Sequence, residues 1–129
     1  MTYRVRMPKA DIRIYQDADG TVPLLDWLDS LPDRAKDKCG AVIGRLADFG
    51  NQLRRPDCDY LSNGIYELRA RAGNVNYRIF YSFVGRQIVL LSHGCTKQKK
   101  VPTKEIKRAI KNLARYKENP QKYTFNGEL

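Results

Sequence analysis

One histidine, His93, and three scattered cysteines are all the soft metal-ligating side chains this chain has. With no CxxC pair and a single imidazole, it lacks the ligand spacing that zinc sites use. Cys39, Cys58 and Cys95 are an odd number and far apart. They are read as reduced thiols rather than as a disulfide framework. Neither GxxxxGK[ST] nor GxGxxG occurs, so nothing in the sequence supports a nucleoside-triphosphate or dinucleotide site. The most apolar stretch, Ile88–Leu91, is far shorter than the ~20 residues a helical membrane span requires. The opening residues, MTYRVRMPKADIRIY, carry no apolar core of a secretory signal. The expected compartment is the cytoplasm, with no membrane partner, no cofactor and no metal.

Acidic residues are also scarce where it matters. The net charge of +10 arises wholly in the second half. Residues 1–60 hold ten Lys/Arg and ten Asp, which cancel, whereas 61–129 hold fourteen Lys/Arg and four Glu. From Arg69 to Lys117, Glu105 is the only acid among thirteen basic residues. A one-sided field of this kind draws in polyanions, and for a small domain the expected polyanion is nucleic acid gripped by its phosphates.

At 129 residues, one domain is expected, large enough to bury a core without covalent staples. Asp11–Tyr15 alternates polar and apolar residues and ends at a turn-like DADG, so it is predicted to be a strand. Pro23 suits the first turn of a helix with Leu24, Leu28 and Leu31 on one face, Trp27 beside them, and Pro32 as its stop. A second helix is predicted from an Asp33 N-cap, with Cys39, Val42, Ile43, Leu46 and Phe49 as its apolar face and Gly50 closing it. Residues 51–64 are polar, with Pro56 and Asn63-Gly64 as turn signals. Ile65–Arg71, Asn76–Phe83 and Gln87–Cys95 then form a predicted antiparallel meander. Pro102-Thr103 opens a last helix with Ile106, Ala109, Ile110, Leu113 and Ala114 on its apolar face, and Lys104, Lys107, Arg108, Lys111 and Arg115 opposite. After Asn119-Pro120 the tail is either mobile or docked through Tyr123 and Phe125. The expected class is α+β: an N-terminal strand and αα-hairpin on a small antiparallel sheet, with a core at 11–117 and a tail at 118–129.

Strand alternation places Glu67, Arg69 and Arg71 on one side of the meander and Tyr66, Leu68 and Ala70 on the core side. It likewise groups Val89, Leu91 and His93. An open sheet face bearing Arg69, Arg71, Arg78 and His93, edged by Lys97, Lys99 and Lys100, would make a concave phosphate cradle. Nearby Tyr and Phe would stack on unpaired bases. Each residue also has a plainer reading. Glu67 and Arg69 form a same-face ion pair, Arg78 is a cross-strand partner of Glu67, the basic helix face is merely solvated, and His93 is a satisfied or merely exposed imidazole.

Taken in order, Tyr66-Glu67-Leu68-Arg69-Ala70-Arg71, Tyr77-Arg78-Ile79-Phe80-Tyr81, Ile88–Gly94 and Lys97-Gln98-Lys99-Lys100-Val101-Pro102 resemble the phage-derived HigB-like toxins of the RelE/ParE toxin–antitoxin superfamily. The likeness covers about residues 11–117. It implies a RelE/ParE-like toxin domain, a HigA-like helix-turn-helix antitoxin as partner, and metal-independent cleavage of mRNA on the ribosome. In that chemistry the ribose 2′-OH attacks the adjacent phosphate, a base takes its proton, an acid protonates the leaving 5′ oxygen, and cations hold the phosphorane. The resemblance makes Arg78 the first candidate for the phosphate clamp and Arg69 the second, with Arg71, Lys97, Lys99 and Lys100 as RNA-backbone contacts. It leaves Glu67 as either the base or an organiser of the arginines. His93, whose ordinary pKa is near neutrality, is a candidate proton shuttle. The chain departs from the family pattern at Glu67, where a second basic residue is usual, and at Cys95-Thr96. Two other classes remain open: a ParE-like inhibitor of DNA gyrase, and a non-catalytic nucleic-acid-binding protein.

Overall fold

The structure, a computed structural model, describes residues 9–97 and 100–127. In chain order its elements are β1 (Asp11–Ile14), α1 (Pro23–Asp29), α2 (Asp33–Phe49), a 3₁₀ turn (Gly50–Gln52), β2 (Cys58–Ser62), β3 (Ile65–Ala72), β4 (Val75–Val84), β5 (Ile88–Lys97) and α3 (Thr103–Glu118). The described residues form an α+β architecture of one five-stranded sheet and three α-helices. The strand order is β1-β5-β4-β3-β2. β2 to β5 run antiparallel in sequence, but β1 lies parallel to β5. The sheet is therefore mixed, and the N-terminal strand is a member of it. Among the described residues no helix is long and apolar enough to cross a membrane.

α1 starts with Pro23 at a position where a missing N–H costs nothing. It ends at Ser30, whose Oγ donates to the Trp27 carbonyl. α2 buries Ala35, Cys39, Val42, Ile43 and Leu46, a helical stripe on the hydrophobic core side of the sheet. Each fully buried aliphatic side chain of this kind contributes about 1.5–3 kcal/mol. Asp33 is not the N-cap: Pro32 occupies that position and no side chain caps the helix. Asp33 instead lies in the first turn, where its charge suits the helix dipole. Gly50 ends α2 with φ of 53°, a conformation cheap only for glycine.

The helical hairpin covers one sheet face, meeting Leu68, Ala70, Tyr77, Ile79, Tyr81, Val89 and Leu91. α3 covers part of the other, over Ile65, Phe80 and Cys95. The face expected to be an open cradle is thus roofed at one end. α3 is also rotated from its predicted setting. Ala109, Asn112 and Tyr116 are buried, while Ala114 is exposed.

Two features were not anticipated. β2 forms from the polar Cys58–Ser62 segment and pairs with β3 at the sheet edge. A β-bulge sets Phe80 opposite His93 and Tyr81 opposite Leu91, leaving Ser92 as the extra residue of β5. The bulge moves His93 to the face opposite that of Val89 and Leu91, so the predicted grouping of the three is corrected. Of the two readings of the tail, docking holds. Thr124 bridges to Tyr15, Phe125 N–H donates to the Ile14 carbonyl, and Tyr123 stacks on Tyr15 with centroids 5.9 Å apart.

Candidate nucleic-acid interface

On the α3 side of the sheet, directly cross-strand residues share a face. The register sets Arg69 of β3 opposite Arg78 of β4, and Asp59 of β2 opposite Glu67 of β3. The side chains close into one chain of ion pairs. Arg55 grips Asp59 with contacts of 2.9 Å to each carboxylate oxygen. Asp59 Oδ2 accepts from Arg69 Nη2 at 3.1 Å. Arg69 Nε donates to Glu67 Oε1 at 2.7 Å. Glu67 Oε2 lies 3.0 Å from Arg78 Nε, a charge contact off the line of an aligned N–H···O bond. Three guanidinium groups thus share two carboxylates, with one positive charge in excess. Arg55 first, then the Tyr60 N–H and Arg69, hold the Asp59 carboxyl below the usual carboxylate range.

Glu67 is the centre of this group, and its side chain is only 3% exposed. A lone carboxylate there would be costly to desolvate, and two arginines make the burial tolerable. The plainer readings of Glu67, Arg69 and Arg78 as mutual partners therefore describe the geometry, except that the surface is not solvated around Glu67. Arg78 is 12% and Arg69 36% exposed, so of these two Arg69 reaches further into solvent.

The remaining candidates scatter. Arg71 is exposed, with Nε donating to the Gly73 carbonyl at the β3–β4 turn. Lys97 ends β5 opposite Asn76, Lys100 is exposed ahead of α3, and Lys99 lies outside the described residues. His93 does not join the arginines at the surface. It is 1% exposed, packed on Phe80 at 4.9 Å between centroids. Its Nδ1 meets Ser92 Oγ at 2.9 Å, and Ser92 Oγ accepts from Asn112 Nδ2. Its Nε2 is 3.7 Å from Glu105. Burial, helped by Arg108, pushes its pKa down to about 3. The ring is thus neutral and interior, away from any substrate at the arginines.

Beside the network, α2 and the loop at Pro56-Asp57 meet the stretch of β3 beyond β2. A cleft of about 500 Å³ opens there, lined by Lys38, Arg45, Arg69, Arg71 and Asn76, with Asp57 the only acid among the described residues that line it. Asp57 is itself paired to Arg45 at 3.2 Å. Lys38, Arg45, Arg55 and Asp59 were missed from the sequence. Lys38 and Arg45 lie on what read as helix surface and reach the cleft from α2, whereas Arg55 and Asp59 lie in what read as loop, and the register of β2 brings Asp59 beside Glu67.

The family model described as Phage derived protein Gp49-like (DUF891) matches residues 26–114. The chain belongs to this Gp49-like family. That family is associated with toxin–antitoxin systems. No match is found among curated proteins. The matched segment of this Gp49-like protein runs from α1 into the last turns of α3 and contains Asp59, Glu67, Arg69 and Arg78.

Chemically, the Gp49-like site offers two guanidinium groups held at a fixed mutual distance by one carboxylate, opening sideways onto a basic cleft. Guanidinium forks match the non-bridging oxygens of a phosphodiester. The exposed Lys104, Lys107, Arg108 and Lys111 of α3 extend the positive surface.

Proposed function

We propose that this protein is the toxin of a type II toxin–antitoxin pair, HigB-like within the RelE/ParE superfamily, and that it cleaves mRNA on the ribosome in the cytoplasm. One observation carries the reading: Arg69 and Arg78, on neighbouring strands, converge on the single carboxylate of Glu67 beside a basic cleft. In this reading the arginines hold the non-bridging oxygens of the scissile phosphate. The ribose 2′ oxygen bonds to phosphorus and the 5′ oxygen departs with a proton, leaving a 2′,3′-cyclic phosphate. The extra negative charge of the phosphorane falls to Arg78 and Arg69, which is where fixed cations accelerate such a step. Glu67 acts as their organiser rather than as the base, since both its oxygens are already engaged. A HigA-like helix-turn-helix antitoxin would neutralise this basic surface.

A specific observation favours a second reading, a nucleic-acid-binding protein without catalysis: the single imidazole is sealed inside. Induction of the gene in growing bacteria separates the two, with transcript ends mapped by primer extension. A ribosome-dependent nuclease halts translation within minutes and leaves new ends at codons. A binder leaves transcripts whole while the purified protein retains RNA with a steep salt dependence. DNA damage and filamentation without transcript cleavage would point instead to gyrase.

A further inference from the structure

On the far side of the sheet from Glu67, the edge strand β2 overhangs the end of α2. A cavity of about 1000 Å³ opens there, lined by aromatic rings and by Arg54, Arg55 and Arg86. Its rings form one continuous group. Tyr60 meets Tyr66 edge-on at 5.0 Å, Tyr66 stacks on Tyr81 at 5.3 Å, and Phe83 stands edge-on to Tyr66 at 5.2 Å. Tyr81 is fully buried and serves the core, but Tyr60 is 53% exposed, the most exposed large hydrophobic side chain among the described residues. The hydroxyl of Tyr60 accepts the Gly64 N–H at 3.0 Å, which fixes the ring's direction and leaves its area uncovered. Asp59 is the only acid among the described residues of the lining, and Arg55 and Arg69 already occupy it. Arg86 sits exposed on the β4–β5 turn.

We propose that this pocket binds a nucleotide of single-stranded RNA, with the base on Tyr60 and the phosphate on Arg86. A rigid, half-exposed aromatic ring beside arginines is the combination that holds unpaired nucleotides irrespective of sequence. The volume suits one nucleotide with its linkages. The pocket and the arginine network are joined at the sheet edge. Arg55 and Asp59 belong to both, and the next residue, Tyr60, turns to the opposite face. An RNA strand crossing β2 therefore meets both sites. The proposal rests on reading the chain as RNA-binding, but not on any chemistry at Arg78.

The test uses the full chain, a fluorescein-labelled hexauridylate, fluorescence anisotropy and backbone amide NMR. Tyr60→Leu and Arg86→Glu are each expected to weaken binding about tenfold, with wild-type RNA shifting the amides of Tyr60, Tyr66, Phe83 and Arg86. Arg86 is on an exposed turn, so Arg86→Glu reports even if Tyr60→Leu unfolds. Unchanged affinity in both variants, or shifts confined to the Arg69–Arg78 strands, overturns the proposal. So do shifts that track protein concentration without RNA, which would assign the pocket to a second copy of the chain. If the variants lose hexauridylate while wild type leaves mRNA uncut, the pocket stands and the nuclease reading falls. If mRNA is cut and both variants bind as wild type, the opposite holds.

Discussion

The carboxylate of Glu67 faces the guanidinium of Arg78 across β3 and β4 at 3.0 Å, with the two side chains 3% and 12% exposed. Glu67 has almost no bulk water to fall back on, so its charge depends on Arg78 and Arg69. Glu67→Ala is expected to destabilise the fold by about 3–5 kcal/mol, since it removes the buried carboxylate on which Arg69 and Arg78 converge. Glu67→Gln keeps an acceptor and should cost less. Urea denaturation of the two variants checks the order.

Arg78→Lys keeps the charge but loses the planar fork that grips two phosphate oxygens. If Arg78 is the clamp, mRNA cleavage falls on the order of 10²–10³-fold while the urea midpoint moves little. Arg69→Lys should show a similar but smaller loss. The measurement is cleavage of a defined message on programmed ribosomes. A folded Arg78→Lys protein with full cleavage would remove Arg78 from the site.

Trp27 lies flat against the backbone of Gly94, where any Cβ would overlap the indole ring. The indole Nε1 also donates to Thr96 Oγ1 at 3.2 Å. Gly94→Ala must displace the ring, and overpacking of this kind costs about 1–3 kcal/mol. Trp27 is the only tryptophan, so its fluorescence maximum reports the displacement directly, alongside a lowered thermal midpoint.

His93 gains a proton near pH 3 when folded but near 6.5 when unfolded. The unfolded chain therefore binds more protons between those values. The stability it contributes is complete above about pH 6.5 and is lost as pH falls toward 3, by up to about 1.4 kcal/mol per unit. Glu105 at 3.7 Å would favour the charged ring, but burial outweighs it. Urea midpoints measured from pH 7 to pH 4 should fall for wild type and fall less steeply for His93→Gln.

The helices and β3 to β5 were legible because their apolar spacing is strong: Cys39, Val42, Ile43 and Leu46 repeat at helical period, and Leu68 and Ala70 alternate inward. β2 was not, since Cys58–Ser62 is polar and short and becomes a strand only because β3 offers it an edge. Ser92 carries no glycine or proline signal, so nothing marked the bulge that turns His93 over. Arg69 and Arg78 were legible as neighbours from the meander, and their pairing with Glu67 was among the readings left open. The burial of Glu67 was not, because α3 roofs a face that alternation alone left open to solvent.

β1 finds its hydrogen-bonding partner in β5, more than seventy residues downstream, and Tyr15 finds Thr124 later still. Contacts so distant in sequence close slowly. During synthesis the first strand therefore waits, unpaired, until nearly all of the sheet has left the ribosome. The ion pairs that run from Arg55 to Arg78 lie within the loop before β2 and strands β2 to β4, so these groups can meet before that final closure.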